Sequence, residues 1–274
     1  MTRQGARQPA PLLVAAGQAE AVAGDLAANV ATAARLAADA GDRGVRVLVL
    51  PEAFLTGYDA SAFDGPLPTA ERLAGPELDP LREVARAADL VVVAGTALQR
   101  ADRRTLSSVV VRPDGEVTVP YDKQHVDPSE LPWFAAGDHG CSITVDGVEL
   151  GLSICYDGCF PEHARAAAVD GALGYLSSAA YFPGGEHRRD LYYAARAVEN
   201  SFYVVFSGLT GRCGGSSFIG GSAVYDPEGR PLERLGEEEG LAVGELDPAL
   251  VEATRARHSM HHDHLASLGA RVRG

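Results

Sequence analysis

The chain has 274 residues, 46% of them hydrophobic and 22% charged, with a formal net charge of -13. That length fits one large domain or two small ones and buries a core without disulfide staples. The negative charge disfavours nucleic acid and anionic membrane surfaces as partners, and no apolar run reaches the roughly 20 residues of a membrane span.

In chain order, "MTRQGARQPAP" has no apolar stretch behind its arginines beyond "LLVAA". Residues 1–10 therefore read as a flexible leader, and the protein as cytoplasmic. "LLVAAGQ" (12–18) suits a buried strand. The Ala-rich 24–44 has helical spacing, with Gly44 near its end. "VRVLVLPEAF" is a β-branched strand stopped by Pro51, "PELDPLREVARAAD" a helix and "LVVVAGTAL" a strand. "LSSVVVRPDGEVTVPYDK" reads as a hairpin turning at "PDG", and "CSITVDGVELGLSIC" as another turning at "DG".

Next comes a helix opened by Pro161 and closed by Gly171, then the strand "ALGYLSSAA". The helix "HRRDLYYAARAVENS" and the strand "FYVVFSGL" follow. "SFIGGSAVYDPEGRPLERL" is a third hairpin, "LAVGELD" a last strand and "PALVEATRARH" a last helix. Helices and strands alternate, but hairpins interrupt them. That excludes a purely parallel sheet and predicts a layered α/β sandwich with mixed sheets. With no linker or repeat, 11–274 reads as a single domain ending in a helix and tail.

Three polar residues each close an apolar strand: Glu52 after "VRVLVLP", Lys123 after "EVTVPYD" and Cys155 after "VELGLSI". Strand ends are where α/β folds build sites. Lys123 is the one lysine among 24 basic residues, which points to a place where a planar guanidinium does not fit. A carboxylate in a dry pocket can take a thiol proton, and an ammonium beside it balances charge and steadies an oxyanion. The helix opened by Pro161 would favour a thiolate on Cys155, and the Tyr156 N–H would be a second oxyanion donor. Read singly, each residue has a plainer explanation: a small core cysteine, a loop-capping glutamate, a surface lysine. The set of three is what suggests a site.

"LPEAFLTGY", "YDKQHV" and "ICYDGCFPEHAR" resemble the three signature segments of the nitrilase superfamily of carbon–nitrogen hydrolases. The resemblance continues through "ARAVENSFYVVFSG" and "FIGGSAVYDPEGRPL" and covers nearly the whole chain. It implies a four-layer α-β-β-α sandwich, subunits that dimerise, and a Glu–Lys–Cys triad carried by Glu52, Lys123 and Cys155. It also implies a second glutamate, matched by Glu130 in "KQHVDPSELPWFAAGD". The implied activity is hydrolysis of a small carboxamide, aliphatic or ω-amino, through a Cys thioester, with water and no cofactor. "CYDGCFPE" is similar to the amidase and carbamoylase branches. An N-carbamoyl amino acid or amine hydrolase, an amide-forming acyltransferase and a non-catalytic scaffold are the alternatives.

Two departures bear on substrate. Cys159 stands where many relatives have arginine, and "SSAAYFPGG" replaces a commoner Asn-Trp-Pro character. Ala180 and Tyr181 are expected to line the acyl pocket, and Trp133 to wall it near Glu130. The acidic chain hints at cationic, ω-amino substrates. No metal is expected: Cys155 and Cys159 lack a completing pair. The histidines of "RHSMHHDHL" (257–265) read as a tail, solvated or packed on a partner subunit, although His261 and His264 could share a helix face.

Overall fold

The computed structural model describes residues 8–265 and 267–273. Residues 1–7 of the expected leader and the side chain of His261 lie outside the described residues. The chain opens with β1 (Leu12–Gln18), α1 (Leu26–Asp42) and β2 (Val47–Val49). Short helices α2 (Ala60–Asp64) and α3 (Ala70–Leu73) precede α4 (Asp79–Ala87), β3 (Val91–Gln99), β4 (Arg104–Val111) and β5 (Val117–Asp122). The second half runs β6 (Ser142–Val145), β7 (Val148–Ile154), α5 (Pro161–Val169), β8 (Gly174–Ala179), α6 (Glu186–Asn200) and β9 (Tyr203–Gly208). Then come β10 (Thr210–Cys213), β11 (Ser216–Ile219), β12 (Ala223–Tyr225), β13 (Pro231–Arg234), β14 (Gly240–Leu246), α7 (Pro248–Arg257) and α8 (Met260–Asp263). Among the described residues no helix is long and apolar enough to cross a membrane.

Two six-stranded sheets form, in the orders β14-β1-β2-β3-β4-β5 and β13-β12-β9-β8-β7-β6. Each has a parallel centre, β1–β2–β3 or β7–β8–β9, flanked by antiparallel strands. The side-chain period of two sorts the layers. Val14, Ala16, Val47 and Val49 face the second sheet and meet Leu152, Ile154 and Val205 there. Their neighbours Ala15, Leu48 and Leu50 face outward onto Val30, Ala33 and Ala37 of α1. On the far side Tyr175 and Val204 pack under Ala164 of α5 and Ala197 of α6. The result is the four-layer α-β-β-α sandwich with mixed sheets.

Two elements depart from the sequence reading. The strand expected to run from 45 to its stop at Pro51 is only Val47–Val49 long. Pro51 has no N–H to give a ladder, so the chain leaves the sheet and turns Glu52 inward. The expected third hairpin divides: Ser216–Ile219 pairs with Thr210–Cys213 in a separate two-stranded sheet, and Ala223–Tyr225 pairs with Pro231–Arg234. Gly220 and Gly221, both at positive φ (52° and 75°), break the run between them.

The Glu52 loop is braced from both sheets. Leu55 N–H donates to Gly95 O (3.0 Å) and Gly95 N–H to Pro51 O (3.1 Å) on β3, while Glu52 N–H reaches Ala179 O (3.4 Å) at the end of β8. Gly95 is required by contact: an added Cβ would sit 2.4 Å from Pro51 O and 2.6 Å from Glu52 Cα. Gly95→Ala is therefore expected to destabilise the fold by about 1–3 kcal/mol through overpacking. Urea unfolding measures it, and an unchanged midpoint would mean that β3 does not hold this loop in place.

Candidate active site

Lys123 follows β5 directly. Its N–H donates to Leu106 O (2.8 Å) and its carbonyl accepts from Gly137 N–H (2.8 Å), so its backbone is held on both sides. The preceding Asp122 is anchored by Ser107 Oγ (2.6 Å), Thr105 Oγ1 (3.1 Å) and Arg100 Nη2 (2.6 Å). The Lys123 side chain is fully enclosed. Its Nζ donates to Glu52 Oε1 (2.7 Å) and to both oxygens of Glu130 (2.8 and 2.7 Å). Glu130 is fixed in turn by Tyr58 Oη (2.6 Å) and Asp127 N–H (2.8 Å). The structure thus brings Glu52, Lys123 and Glu130 into one buried cluster.

Cys155 ends β7 at the first position of a 3-10 turn, Cys155–Cys159, which lies between the strand and α5. Its φ is +44°, a left-handed conformation that costs an ordinary residue roughly 1–2 kcal/mol. Tyr193 Oη donates to Cys155 O (3.0 Å), and the thiol approaches Ala180 O (3.7 Å). The Tyr156 N–H belongs to the first turn, where helical geometry supplies no intrahelical acceptor.

Cys155, Lys123, Glu130, Tyr156, Ala180 and Tyr181 share one cavity of about 330 Å³. Cys159 also lines it, its thiol 3.8 Å from Tyr181 Oη. Trp133 does not. Its indole N–H needs an acceptor and finds Asp64 Oδ1 (2.7 Å), and its ring lies against Phe63 (5.7 Å between centroids), away from this lining. The expected wall on that side is Tyr58 instead.

The electrostatics follow from burial. Burial raises the Glu52 carboxyl most, Lys123 opposes it and the Glu130 charge adds to it, leaving Glu52 pushed up to about 8. Its Oε2 is buried with no hydrogen-bond partner. Burial works to lower Lys123, but Glu52 and Glu130 overcome it and hold the ammonium charged. Burial and the Glu52 charge push the Cys155 thiol well above its ordinary value, against the pull of Lys123. The helix that follows is expected to favour a thiolate on Cys155, but full enclosure and two carboxylates outweigh one ammonium and disfavour it.

Asp157 was not singled out in the sequence, and it is the buried centre of a second network. Oδ2 accepts from Tyr121 Oη (2.6 Å) and Ile154 N–H (3.0 Å), and Oδ1 from His125 N–H (2.8 Å), with His125 Nδ1 2.9 Å away. Tyr121 contacts His163 Nε2 (2.9 Å), whose Nδ1 meets Tyr175 Oη (2.7 Å). Burial favours a raised Asp157 pKa, but the hydrogen bonds from His125, Tyr121 and Ile154 win and keep it low. Asp157 therefore reaches back across the strained Cys155 to Ile154, and outward to Tyr121 and His125 on either side of Lys123. The only sequence signal was an acid two residues after the candidate nucleophile.

A family model described as carbon-nitrogen hydrolase matches residues 13–256. The chain belongs to the carbon–nitrogen hydrolase family. Within this family it is 37% identical over 236 residues to an (R)-stereoselective amidase of Pseudomonas sp., covering 85% of this chain and 84% of that protein. It is 32% identical over 218 residues to a 2-oxoglutaramate amidase of Bacillus subtilis, covering 78% and 82%. An amidase of Nesterenkonia sp. AN1 superposes with a TM-score of 0.79 at 29% identity, covering 96% of this chain and 100% of that one. That structure shows covalent addition of the acetamide moiety of fluoroacetamide at its active site cysteine. This carbon–nitrogen hydrolase is accordingly an enzyme of the amidase type within the nitrilase superfamily.

Two outcomes are expected from this geometry. A base with a pKa near 8 must lose its proton to act, so kcat/KM should rise with pH through an apparent pKa of about 8. That limb belongs to the coupled Glu52–Lys123–Cys155 cluster. A pH–rate profile flat from pH 5.5 upward would refute the assignment of the raised carboxyl. Asp157→Asn should slow alkylation of Cys155 by iodoacetamide about 10- to 100-fold, the loss of a hydrogen bond to a charged group. An unchanged alkylation rate would show that Asp157 does not position the nucleophile.

Proposed function

We propose that this enzyme hydrolyses the primary amide of a small acyl group through a thioester on Cys155. The observation that carries the proposal is the buried Lys123 ammonium between Glu52 and Glu130, in the cavity that Cys155 lines. Glu52 accepts the thiol proton as sulfur attacks the amide carbon, and the carbonyl oxygen becomes an oxyanion held by Lys123 Nζ and the Tyr156 N–H. Glu52 returns that proton to the amide nitrogen, the C–N bond breaks and ammonia leaves. Water, deprotonated by Glu52, then attacks the thioester. The C–S bond breaks, the thiol is restored and the carboxylic acid departs. Glu130 accepts from Lys123 throughout and fixes the direction of Nζ.

The acyl part is short, as suits a cavity of about 330 Å³ walled by Tyr58, Tyr156 and Tyr181. The ω-amino option came with the family resemblance, and the net charge of the whole chain only hinted at it. Arg188 also lines this cavity, and a local cation outweighs distant screened charge, so an acyl chain without an ammonium is the better reading. Self-association also belongs to this reading. Val169 on α5 and Leu191 and Val198 on α6 are exposed apolar side chains of the outer helical layer, which supports a homodimer through that face.

Ammonia release over a panel of aliphatic amides, N-carbamoyl amino acids and nitriles tests the reaction. Cys155→Ala should abolish release from amides. Lys123→Arg should lower kcat at least about 100-fold despite the kept charge, because a planar fork cannot replace a point ammonium enclosed by three carboxylate oxygens. Near-parental activity of Lys123→Arg would remove the ammonium from the mechanism. Diversion of product to a new amide by added amine would reassign the enzyme as an acyltransferase.

A further inference from the structure

Tyr58 stands on the same loop as Glu52 and lines the cavity that holds Cys155. Its ring is set edge-on against Phe63 (5.3 Å between centroids), Phe218 (5.8 Å) and Phe182 (6.1 Å), so the direction of its hydroxyl is fixed. A phenol oxygen offers one proton and two lone pairs. The proton is committed, because Oη donates to Glu130 Oε1 (2.6 Å). Burial and the nearby carboxylates push this hydroxyl well above its ordinary range, so the proton stays on it. The lone pairs accept from no donor among the described residues. Toward the cavity the Tyr58 oxygen can therefore act only as an acceptor.

The other acceptors around Lys123 Nζ are already committed. Glu130 Oε1 accepts from Nζ (2.8 Å) and Tyr58, and its Oε2 accepts from Nζ (2.7 Å) and Asp127 N–H (2.8 Å). These bonds fill the lone-pair positions of a carboxylate. Glu52 Oε2 has no partner and is the place for the thiol proton. The Asp127 carboxylate is turned to Ser129 N–H and Oγ (2.9 and 2.6 Å), and Ala180 O faces the Cys155 thiol (3.7 Å). Tyr58 Oη and Lys123 Nζ share Glu130 Oε1 and so are neighbours. An amide with its oxygen at Nζ and its carbon at the Cys155 sulfur carries its nitrogen one bond beyond that carbon, beside Oη. Glu130 also pulls on the phenol proton, which leaves Oη more negative and a better acceptor.

We propose that Tyr58 Oη accepts an N–H of the substrate's amide nitrogen, so that Tyr58 selects amides over esters on the leaving-group side of the cavity. The proposal deepens the amidase reading above and rests on it. An ester of the same acid has an oxygen there, which carries no proton and meets the lone pairs of Oη as one acceptor meets another. The preference grows along the reaction. The nitrogen gains a proton from Glu52 before the C–N bond breaks, and its N–H groups then carry more positive charge toward Oη.

The test compares butanamide with methyl butanoate, which place the same acyl group on Cys155. Acid release from both is followed as kcat/KM, which reports formation of the thioester. Tyr58→Phe keeps the ring packing and removes the hydroxyl. It should lower the amide-to-ester ratio of kcat/KM about 5- to 10-fold, the scale of one hydrogen bond. Any loss that travels through Glu130 and Lys123 weighs on both substrates alike and leaves the ratio unmoved. Phe218→Leu loosens the packing of the same ring but keeps its hydroxyl, so it should also leave the ratio in place. Calorimetry on Cys155→Ala measures binding without chemistry. There butanamide should bind more tightly than methyl butanoate, and the advantage should shrink in Cys155→Ala/Tyr58→Phe. A ratio that survives Tyr58→Phe, or one that falls equally in Phe218→Leu, would overturn the proposal. The two readings fail separately. Acid release from butanamide with a ratio unmoved by Tyr58→Phe removes the Tyr58 contact and keeps the amidase. A Tyr58-dependent preference for butanamide in binding, with no acid released from it by the parent, keeps the contact and removes the amidase.

Discussion

A single buried ammonium organises this protein. Lys123 Nζ has no exposed side-chain surface and is enclosed by Glu52 and Glu130. Isolating any one of these charges would cost several kcal/mol, so each is tolerable only because the others are there. That mutual need constrains the surroundings. The β2 loop must turn at Pro51, β5 must end at Lys123, and the Asp127–Glu130 turn must close beneath Tyr58. Burial, with the Glu130 charge added to it and Lys123 opposing, is also what raises the Glu52 carboxyl to about 8.

The nucleophile answers to a second constraint, which is geometric. Cys155 sits at φ +44° and keeps that conformation because its surroundings determine it from several sides. Tyr193 holds its carbonyl, and Asp157 grips the preceding N–H. Asp157 also bonds Tyr121 and His125, so the carboxylate that supports the strained residue is tied to the segment carrying Lys123. The first sheet supplies Glu52 and Lys123, and the second supplies Cys155. This network and the Glu52–Ala179 backbone contact join them across the sandwich.

One cavity is lined both by the buried Lys123 and Glu130 and by the exposed side chain of Arg188, so its lining groups differ in their access to solvent. Glu52 meets this cavity through Lys123 Nζ rather than as part of its lining.

The sequence by itself determined most of the fold and pointed to the residues that the structure gathers around Lys123. Period-two alternation, helix caps and hairpin turns are local signals, so β1, α1, β3 and α6 were legible within a residue or two. Glu52, Lys123 and Cys155 were legible because each closes an apolar strand, and because one lysine among so many arginines is conspicuous. The tertiary structure decided what depends on distant partners. Trp133 left the pocket for Asp64, and "SFIGG" paired with a hairpin partner upstream. Asp157 gained its role only when Tyr121, His125 and Ile154 converged on it. The upward push on the Cys155 thiol likewise rests on burial and on the sign of neighbouring charges, which exist only after the chain has folded.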